Sequence, residues 1–125
     1  MNVVDSSAWL EYFTNRPNAP FFATPIENTA ELIVPAICIF EVFKRVLKER
    51  GEKDALQAVM LMEKGEVIAL DAMLALTAAR LSVQVRLPMA DSIILATAHT
   101  HHAILWAQDA DFKDFEGVEY RERKQ

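Results

Sequence analysis

The feature that most constrains the fold is a repeated alternation of short apolar runs with segments of helical periodicity. The runs are NVV at 2–4, LIVP at 32–35, VIAL at 67–70 and AILWA at 103–107. None of them alternates apolar with polar residues, so each is predicted to be a strand buried on both faces. Strands that alternate with helices indicate a parallel sheet between two helical layers. The sequence therefore predicts a three-layer α/β/α domain with a mostly parallel sheet of four or five strands, VEY at 118–120 being the fifth.

The segments between the runs have the spacing and the end signals of helices. The predicted helices are SSAWLEYF at 6–13, residues 36–50 stopped by Gly51, about 53–64, 71–86 with Asp71 as N-cap, and 88–102 with Pro88 in the first position. Residues 15–28 contain three prolines and are predicted to form a loop with one short helix. In the helix at 36–50, Phe40, Phe43 and Leu47 are assigned to the apolar face. In the next helix, Leu56 and Met60 are assigned to the inner face.

Composition fits one globular domain over residues 1–125, since 52% of the chain is apolar. A single cysteine, Cys38, excludes an intrachain disulfide and is predicted to be a buried small hydrophobe. No signal-peptide pattern or membrane-length apolar segment is present, so the cytoplasm is the expected location. The net charge of −5 does not suggest a simple binder of phosphate backbones. The basic tail RERK, residues 121–124, is expected to be a solvated terminus.

Two aspartates follow predicted strands closely. Asp5 ends the first strand, and Asp109 lies two residues past the fourth. Because ligands of such folds bind beyond the carboxyl ends of the strands, both are expected at the same edge of the sheet. Asp5 has a competing structural role as the N-cap of the next helix. Since Ser6 or Ser7 can provide that cap, we expect Asp5 to be available for chemistry.

Asp91 is the single acid of the helix segment PMADSIILATA, which is apolar almost all round and is predicted to be buried. A carboxylate near a helix N-terminus gains only about 0.3–1 kcal/mol from the helix dipole. Burying an unpaired charge costs far more than that. We therefore expect a cation close to Asp91.

Glu41 is predicted to lie on the helix face opposite Phe40 and Phe43, and that face also carries Lys44, Arg45 and Lys48. One interpretation is an exposed Glu41–Arg45 pair with a small stabilising effect. The other makes Glu41 a metal ligand and assigns the three basic side chains to binding a phosphate. Both interpretations remain open at this stage.

The four acids Asp5, Glu41, Asp91 and Asp109 would repel one another at one edge of the sheet unless a cation lay between them. Ligand sets made only of oxygen suit Mg²⁺ or Mn²⁺. Such an ion lowers the pKa of a bound water and stabilises charge on a phosphate under attack. An acidic chain can therefore still act on a nucleic acid.

Five pieces of the chain occur in an order that is typical of a known family. They are VVDSSAWLEYF, LIVPAICIFEVFKRVLKERG, VIALD, RLPMADSIILATAH, and ILWAQDADF followed by GVEY. Together they resemble the PIN domain over nearly the whole chain, and in particular the VapC-type ribonuclease toxins of toxin–antitoxin pairs. The resemblance implies an Mg²⁺- or Mn²⁺-dependent endoribonuclease that cleaves RNA with a metal-activated water. It also implies an inhibitory antitoxin and assembly as a homodimer or a toxin–antitoxin hetero-oligomer.

The resemblance assigns the catalytic and metal-binding roles to Asp5, Glu41, Asp91 and Asp109. It implies auxiliary roles for Asp111, as a further ligand, and for Ser6 or Ser7, which would orient Asp5 or a metal-bound water. Ala107 stands where the family commonly has threonine, which puts the geometry of Asp109 in question. The alternative function is accordingly a PIN-like binding module with weak or no catalysis.

Other classes fit less well. A haloacid-dehalogenase-type phosphatase needs an aspartate at position 7, where the chain has Ser7, and a phosphorelay receiver needs a second acid beside Asp5. The histidines His99, His101 and His102 could form a transition-metal site, but polar residues at a helix end are the simpler interpretation.

Overall fold

The computed structural model describes residues 1–124 and consists of five strands and six helices in one α/β domain. The elements in chain order are β1 (Asn2–Val4), α1 (Ser6–Phe13), α2 (Ala19–Glu27), β2 (Leu32–Pro35), α3 (Ala36–Arg50), α4 (Glu52–Met62), β3 (Glu66–Ile68), α5 (Ala72–Val85), α6 (Met89–Thr100), β4 (Ile104–Ala107) and β5 (Val118–Tyr120). Short 3₁₀ turns cover Thr29–Glu31 and Ala110–Phe112. Among these helices, none has both the length and the apolar character needed to cross a bilayer.

All neighbouring strands are parallel, in the order β3-β2-β1-β4-β5. From β1, the strands β2 and β3 extend the sheet in one direction, and β4 and β5 extend it in the other. The order therefore reverses between β1 and β4, where Val3 is in register with Leu105. The backbone N–H of Asp5 donates to the carbonyl of Trp106 at 3.0 Å and continues this pairing past the end of β1. Ligands of parallel α/β sheets bind at such a reversal.

The predicted burial of each strand on both faces is confirmed for β2 and wrong for β3, an edge strand in which Glu66 and Val67 are exposed. All four residues of β2 are buried, and successive side chains of a strand point to opposite faces. Val3, Val4 and Leu105 have no exposed surface, and Trp9, Phe22 and Phe112 are equally enclosed around them. Each large apolar side chain buried in this way contributes about 1.5–3 kcal/mol. Cys38 is buried in the same core, as expected.

The predicted inner faces of α3 and α4 are wrong. In α3 the buried residues are Cys38, Val42 and Val46, whereas Phe40 is 59% exposed. In α4 the buried residues are Ala55, Ala58 and Met62, and Met60 is 68% exposed together with half of Leu56. α3 and α4 pack on each other, and this packing buries a different face of each helix from the one predicted.

Element ends differ from prediction by a few residues. β3 begins at Glu66, one residue earlier than predicted, and ends at Ile68. Pro88 is the N-cap of α6 and not its first residue. The short helix predicted between residues 15 and 28 is α2, which has nine residues and contains Pro25. Gly51 ends α3 as predicted, with φ of 94°, a conformation that side-chain-bearing residues adopt at a cost.

Candidate active site

A cleft of about 390 Å³ lies beyond the carboxyl ends of β1 and β4, between α3 and the first turn of α6. It is called the acid cleft below. Its lining includes all four predicted acids and all three predicted bases: Asp5, Glu41, Asp91, Asp109, Lys44, Arg45 and Lys48. Ser6 and Ser7 also line it, with three apolar side chains. The structure thus brings together residues that are up to 104 positions apart in the chain.

Asp5 is buried in the acid cleft and also caps α1. Its Oδ1 accepts the backbone N–H of Ala8 at 2.7 Å, so the expectation that a serine provides the cap is wrong. The reason is the position of each residue: Asp5 is the last extended residue before the helix, where a side chain can cap it, whereas Ser6 already lies in the first turn. Burial and, to a smaller extent, the charge of Asp109 raise the pKa of Asp5 from 3.8 to about 7, although the hydrogen bonds from Ala8 and Ser7 lower it.

Asp91, Asp109 and Asp111 form the tightest group of acids. One carboxylate oxygen from each lies within 4.8 Å of the others. Burial, a hydrogen bond with Asp111 and the charges of the neighbouring carboxylates raise the pKa of Asp91 to about 8. Asp111 was expected only as an auxiliary ligand, yet its carboxylate belongs to this group as closely as the other two. A divalent cation would relieve this repulsion.

Asp109 is held without help from residue 107. Ala107 is fully buried in β4 and does not line the acid cleft. Asp109 instead caps the following 3₁₀ turn, its Oδ1 accepting the backbone N–H of Asp111 at 2.9 Å. The missing threonine hydroxyl therefore leaves Asp109 in the cleft and beside Asp111.

Glu41 is bound by a serine and not by an arginine. The hydroxyl of Ser6 donates to Oε1 of Glu41 at 2.7 Å, which joins α1 to α3 across the cleft. Arg45 instead donates to Glu49, so the exposed Glu41–Arg45 pair is not formed. Ser7 lies 3.3 Å from Oδ1 of Asp5, as the predicted orienting hydroxyl. The two serines thus serve two different acids.

The basic residues stand on the outer wall of the acid cleft. Lys44, Arg45 and Lys48 are all exposed, and Lys44 lies 5.7 Å from the centre of the Phe40 ring. Phe40 and Glu41 both line the acid cleft, so Phe40 lies on the cleft side of α3. The prediction from helical spacing that Phe40 lies opposite Glu41 is wrong. These exposed basic side chains can bind an anion that enters the cleft.

A buried polar network beside the acid cleft was missed by the sequence analysis. Glu11, Asn18 and Gln108 are each less than 5% exposed. The carboxylate of Glu11 accepts the backbone N–H of Asn18 at 2.9 Å and the amide of Gln108 at 3.2 Å. The amide of Asn18 donates to Gln108 at 3.2 Å. Nothing in the local pattern marks these residues, because their partners are about 90 residues apart in the chain.

The histidines end α6 and its following turn, as the simpler interpretation holds. His99 and His102 are exposed, and Nδ1 of His101 lies 3.0 Å from the carbonyl of Thr97. Within residues 1–124, the one group of three side chains suited to a metal is Asp91, Asp109 and Asp111. Burial and nearby carboxylates raise the pKa of the Cys38 thiol, which leaves it inert as a nucleophile.

These side chains fit a hard divalent cation. The donors are carboxylate oxygens, three of them close enough to share one ion, which suits Mg²⁺ or Mn²⁺ and not the nitrogen- and sulfur-rich sites of zinc. The raised pKa values of Asp5 and Asp91 also favour a bound cation, because each carboxylate is buried beside other acids without a positive partner.

The parallel sheet and the carboxylates at its reversal point define an α/β protein with an acidic cleft whose donor atoms suit a divalent cation. A family model described as "PIN domain" matches residues 3–118, and the chain belongs to the PIN domain family. No curated protein sequence matches the chain significantly.

Solved structures confirm the fold. A toxin–antitoxin complex from Klebsiella pneumoniae is 23% identical, with a TM-score of 0.80 over 95% of this chain and 96% of that one. VapC20 of Mycobacterium tuberculosis, a toxin that cleaves the sarcin-ricin loop, is 16% identical with a TM-score of 0.77 over 94% and 98%. VapBC2 of Rickettsia felis, bound to a promoter DNA fragment, is 14% identical with a TM-score of 0.74 over 97% of both chains.

Proposed function

We propose that this chain is a divalent-metal-dependent endoribonuclease of the VapC type, a cytoplasmic toxin that an antitoxin protein keeps inactive. The observation that carries the proposal is the convergence of four acids and three bases in one cleft at the switch point of the sheet. The acids suit a metal ion, and the bases suit the phosphates of a polyanion. Two of the similar structures are toxins or toxin complexes by their own descriptions, which supports the same class.

In this proposal Asp91, Asp109 and Asp111 hold an Mg²⁺ or Mn²⁺ ion, with Asp5 and Glu41 completing the acidic wall. When bound, the ion supplies a water of lowered pKa and neutralises charge on the phosphate under attack. Oδ1 of Asp5 accepts the N–H of Ala8, whereas Oδ2 has only a long 3.4 Å contact from Ser7, so Oδ2 would be the oxygen available to the ion or its water. Ser6 keeps Glu41 turned toward the cleft by its hydrogen bond to Oε1.

Lys44, Arg45 and Lys48 then bind the phosphates of the RNA strand at the entrance. Their exposed side chains lie along α3 on the same cleft as the acids. The same positive wall and acidic floor form the surface that an inhibitory antitoxin would cover, and an arginine of that partner could enter between the carboxylates. The chain would act as a homodimer or in a toxin–antitoxin hetero-oligomer.

Controlled expression in a bacterium tests the proposal. We compare the wild type with Asp91→Asn, which removes one carboxylate charge, and with Asp54→Asn, an exposed acid of α4 that lies outside the acid cleft. The wild type and Asp54→Asn should arrest growth and produce new RNA ends at defined positions. Asp91→Asn should do neither, although it accumulates to the same level.

A purified-protein assay makes the outcome decisive. Cleavage of the mapped RNA by the wild type should need Mg²⁺ or Mn²⁺ and stop with EDTA. Equal growth arrest by Asp91→Asn and the wild type would contradict the proposed site. If the wild type neither arrests growth nor cleaves RNA with either ion, the alternative of a non-catalytic binding module replaces the enzyme.

A further inference from the structure

A second cleft of about 320 Å³ adjoins the acid cleft across a shared wall formed by Ser7, Leu10 and Arg45. It is called the arginine cleft below, because Arg16, Arg45 and Arg123 line it. Arg16 has no role predicted from the sequence, and Arg123 belongs to the basic tail that is expected to be solvated. The two clefts are neighbours on the same face, so one extended ligand could pass from one to the other over Arg45.

The charges in the arginine cleft do not cancel. Arg45 is paired with Glu49. The other carboxylate of the lining, Glu11, is already bound by the N–H of Asn18 and the amide of Gln108. Within residues 1–124, no carboxylate lies within 4.0 Å of the guanidinium of Arg16 or Arg123. Two arginines thus present unpaired positive charge to a concave surface.

The buried Asn18 side chain connects the two segments that carry Arg16 and Arg123. The N–H of Arg16 donates to the carbonyl of Glu11 at 3.1 Å, and the carbonyl of Arg16 accepts the N–H of Ala19 at 2.9 Å. In the segment after β5, the carbonyl of Glu122, next to Arg123, accepts a hydrogen bond from the side-chain amide of Asn18 at 2.9 Å. Asn18 is 1% exposed, so its hydrogen bond to Glu122 joins the two segments inside the protein.

Residues 121–124 are exposed, as predicted for the basic tail, but Arg121 and Glu122 also contact the rest of the domain. The guanidinium of Arg121 lies 4.2 Å from the centre of the Phe21 ring, and the backbone N–H of Arg121 donates to the carbonyl of Ala107 at 2.9 Å. These contacts, with the Asn18 bond to Glu122, lead the chain along the side of the acid cleft and place Arg123 in the lining of its neighbour.

We propose that the arginine cleft binds the phosphates that flank the scissile bond of a single-stranded RNA, with Arg16 and Arg123 donating to their oxygens. This subsite rests on the proposed nuclease function and extends it to the path of the substrate. Arginine presents a planar fork that matches a phosphate, and a strand that runs into four carboxylates needs positive charge beside them. Arg45 lines both clefts and links the two ends of the path.

The test is the salt dependence of RNA binding, measured with EDTA so that no cleavage occurs. Fluorescence anisotropy of a labelled single-stranded RNA of about ten nucleotides gives the association constant K between about 50 and 300 mM KCl. Each lost phosphate contact makes the negative slope of log K against log[salt] shallower by about 0.7. The variant Arg16→Gln/Arg123→Gln should make the slope shallower by about 1.4 relative to the wild type. Arg80→Gln/Arg86→Gln, whose residues line neither cleft, should keep the wild-type slope.

A second variant separates charge from folding. Arg16→Lys/Arg123→Lys keeps both positive charges without the guanidinium fork and should recover most of the slope. All variants should unfold at the wild-type temperature, since both arginines are exposed. An unchanged slope in Arg16→Gln/Arg123→Gln, or a wild type that does not bind the RNA, would overturn the subsite.

The occupant is tested with a glutamate-rich peptide in the same assay. If the glutamine variant loses affinity for the peptide and not for the RNA, the arginine cleft receives a protein segment and the proposal is wrong. Cleavage by the same preparations with Mg²⁺ is scored separately. A wild type that binds RNA with the expected slope change but does not cleave it would refute the enzyme and leave the subsite standing.

Discussion

Two strand-to-helix turns of this protein share the same capping bond and differ in their surroundings. Asp5 follows β1 and caps α1 through the N–H of Ala8 at 2.7 Å, and Asp71 follows β3 and caps α5 through the N–H of Leu74 at 2.9 Å. Asp5 is 2% exposed and lines the acid cleft, whereas Asp71 is exposed and lines none of the clefts described above. The capping bond is therefore common to both turns, and only the surroundings distinguish a site residue from a structural one.

The position of each turn in the sheet explains the difference. β1 is the central strand, where the order of strands reverses, so β4 brings Asp109 beside Asp5. β3 is an edge strand with a neighbour on one side only, and no second strand end brings an acid to Asp71. Substitutions at these two residues can therefore separate capping from chemistry, because asparagine caps as well as aspartate.

The largest expected difference is in RNA cleavage. Asp5→Asn keeps the cap and removes a carboxylate from the acid cleft, so kcat/KM should fall by at least about a hundredfold, the upper range for loss of an outer-shell partner of a metal ligand. Asp71→Asn should retain wild-type cleavage. Initial rates with Mg²⁺ on one RNA substrate measure both. Equal rates for the two variants would make Asp5 a cap and nothing more.

The next difference is in the pH dependence of stability without metal. The folded protein raises the pKa of Asp5 from 3.8 to about 7 and of Asp91 from 3.8 to about 8, so between these values it binds more protons than the unfolded chain. The free energy of unfolding should therefore fall as the pH rises from about 4 to about 8. Asp5→Asn should flatten this fall, and Asp71→Asn should keep it, since Asp5 and Asp91 remain.

Urea unfolding in EDTA at several pH values measures this dependence. A wild type whose stability is constant or rises between pH 4 and 8 would show that Asp5 and Asp91 are not crowded with other carboxylates. Retention of the full wild-type dependence by Asp5→Asn would remove Asp5 from the explanation.

The smallest difference is in the cost of removing each cap. Asp71→Ala should lower the free energy of unfolding by about 1 kcal/mol, the usual cost of losing an N-cap side chain. Asp5→Ala in EDTA at pH 8 should cost less, because the same change removes a buried charge that Asp109 and Asp91 repel. A larger loss for Asp5→Ala than for Asp71→Ala would show that the acidic surroundings do not strain Asp5.

The parallel sheet was predictable because its strands are continuous apolar runs, each followed by a helix, and that pattern has few other solutions. The same topology predicted that Asp5 and Asp109 share an edge. The inner faces of α3 and α4 were not predictable from spacing. Phe40 and Met60 were assigned to the core by size and spacing, yet both are exposed, because the way α3 and α4 pack on each other decides which face is buried.

Details of the site depended on contacts that no local pattern encodes. That Ser6 binds Glu41 while Ser7 faces Asp5 follows from how α1 lies against α3. The network of Glu11, Asn18 and Gln108 joins segments about 90 residues apart, and with it the position of Arg123. The four acids were found because charges stand out in apolar surroundings, whereas neutral amides and a basic tail do not.

The central claim is that the carboxylates of the acid cleft form a binding site for a divalent cation. Calorimetric titration of the metal-free protein with Mn²⁺ at pH 8 tests it most directly, without any RNA. The account predicts saturable binding by the wild type and by Asp71→Asn, and loss of that binding in Asp91→Asn. Absence of Mn²⁺ and Mg²⁺ binding in the wild type, or equal binding by Asp91→Asn, would contradict it.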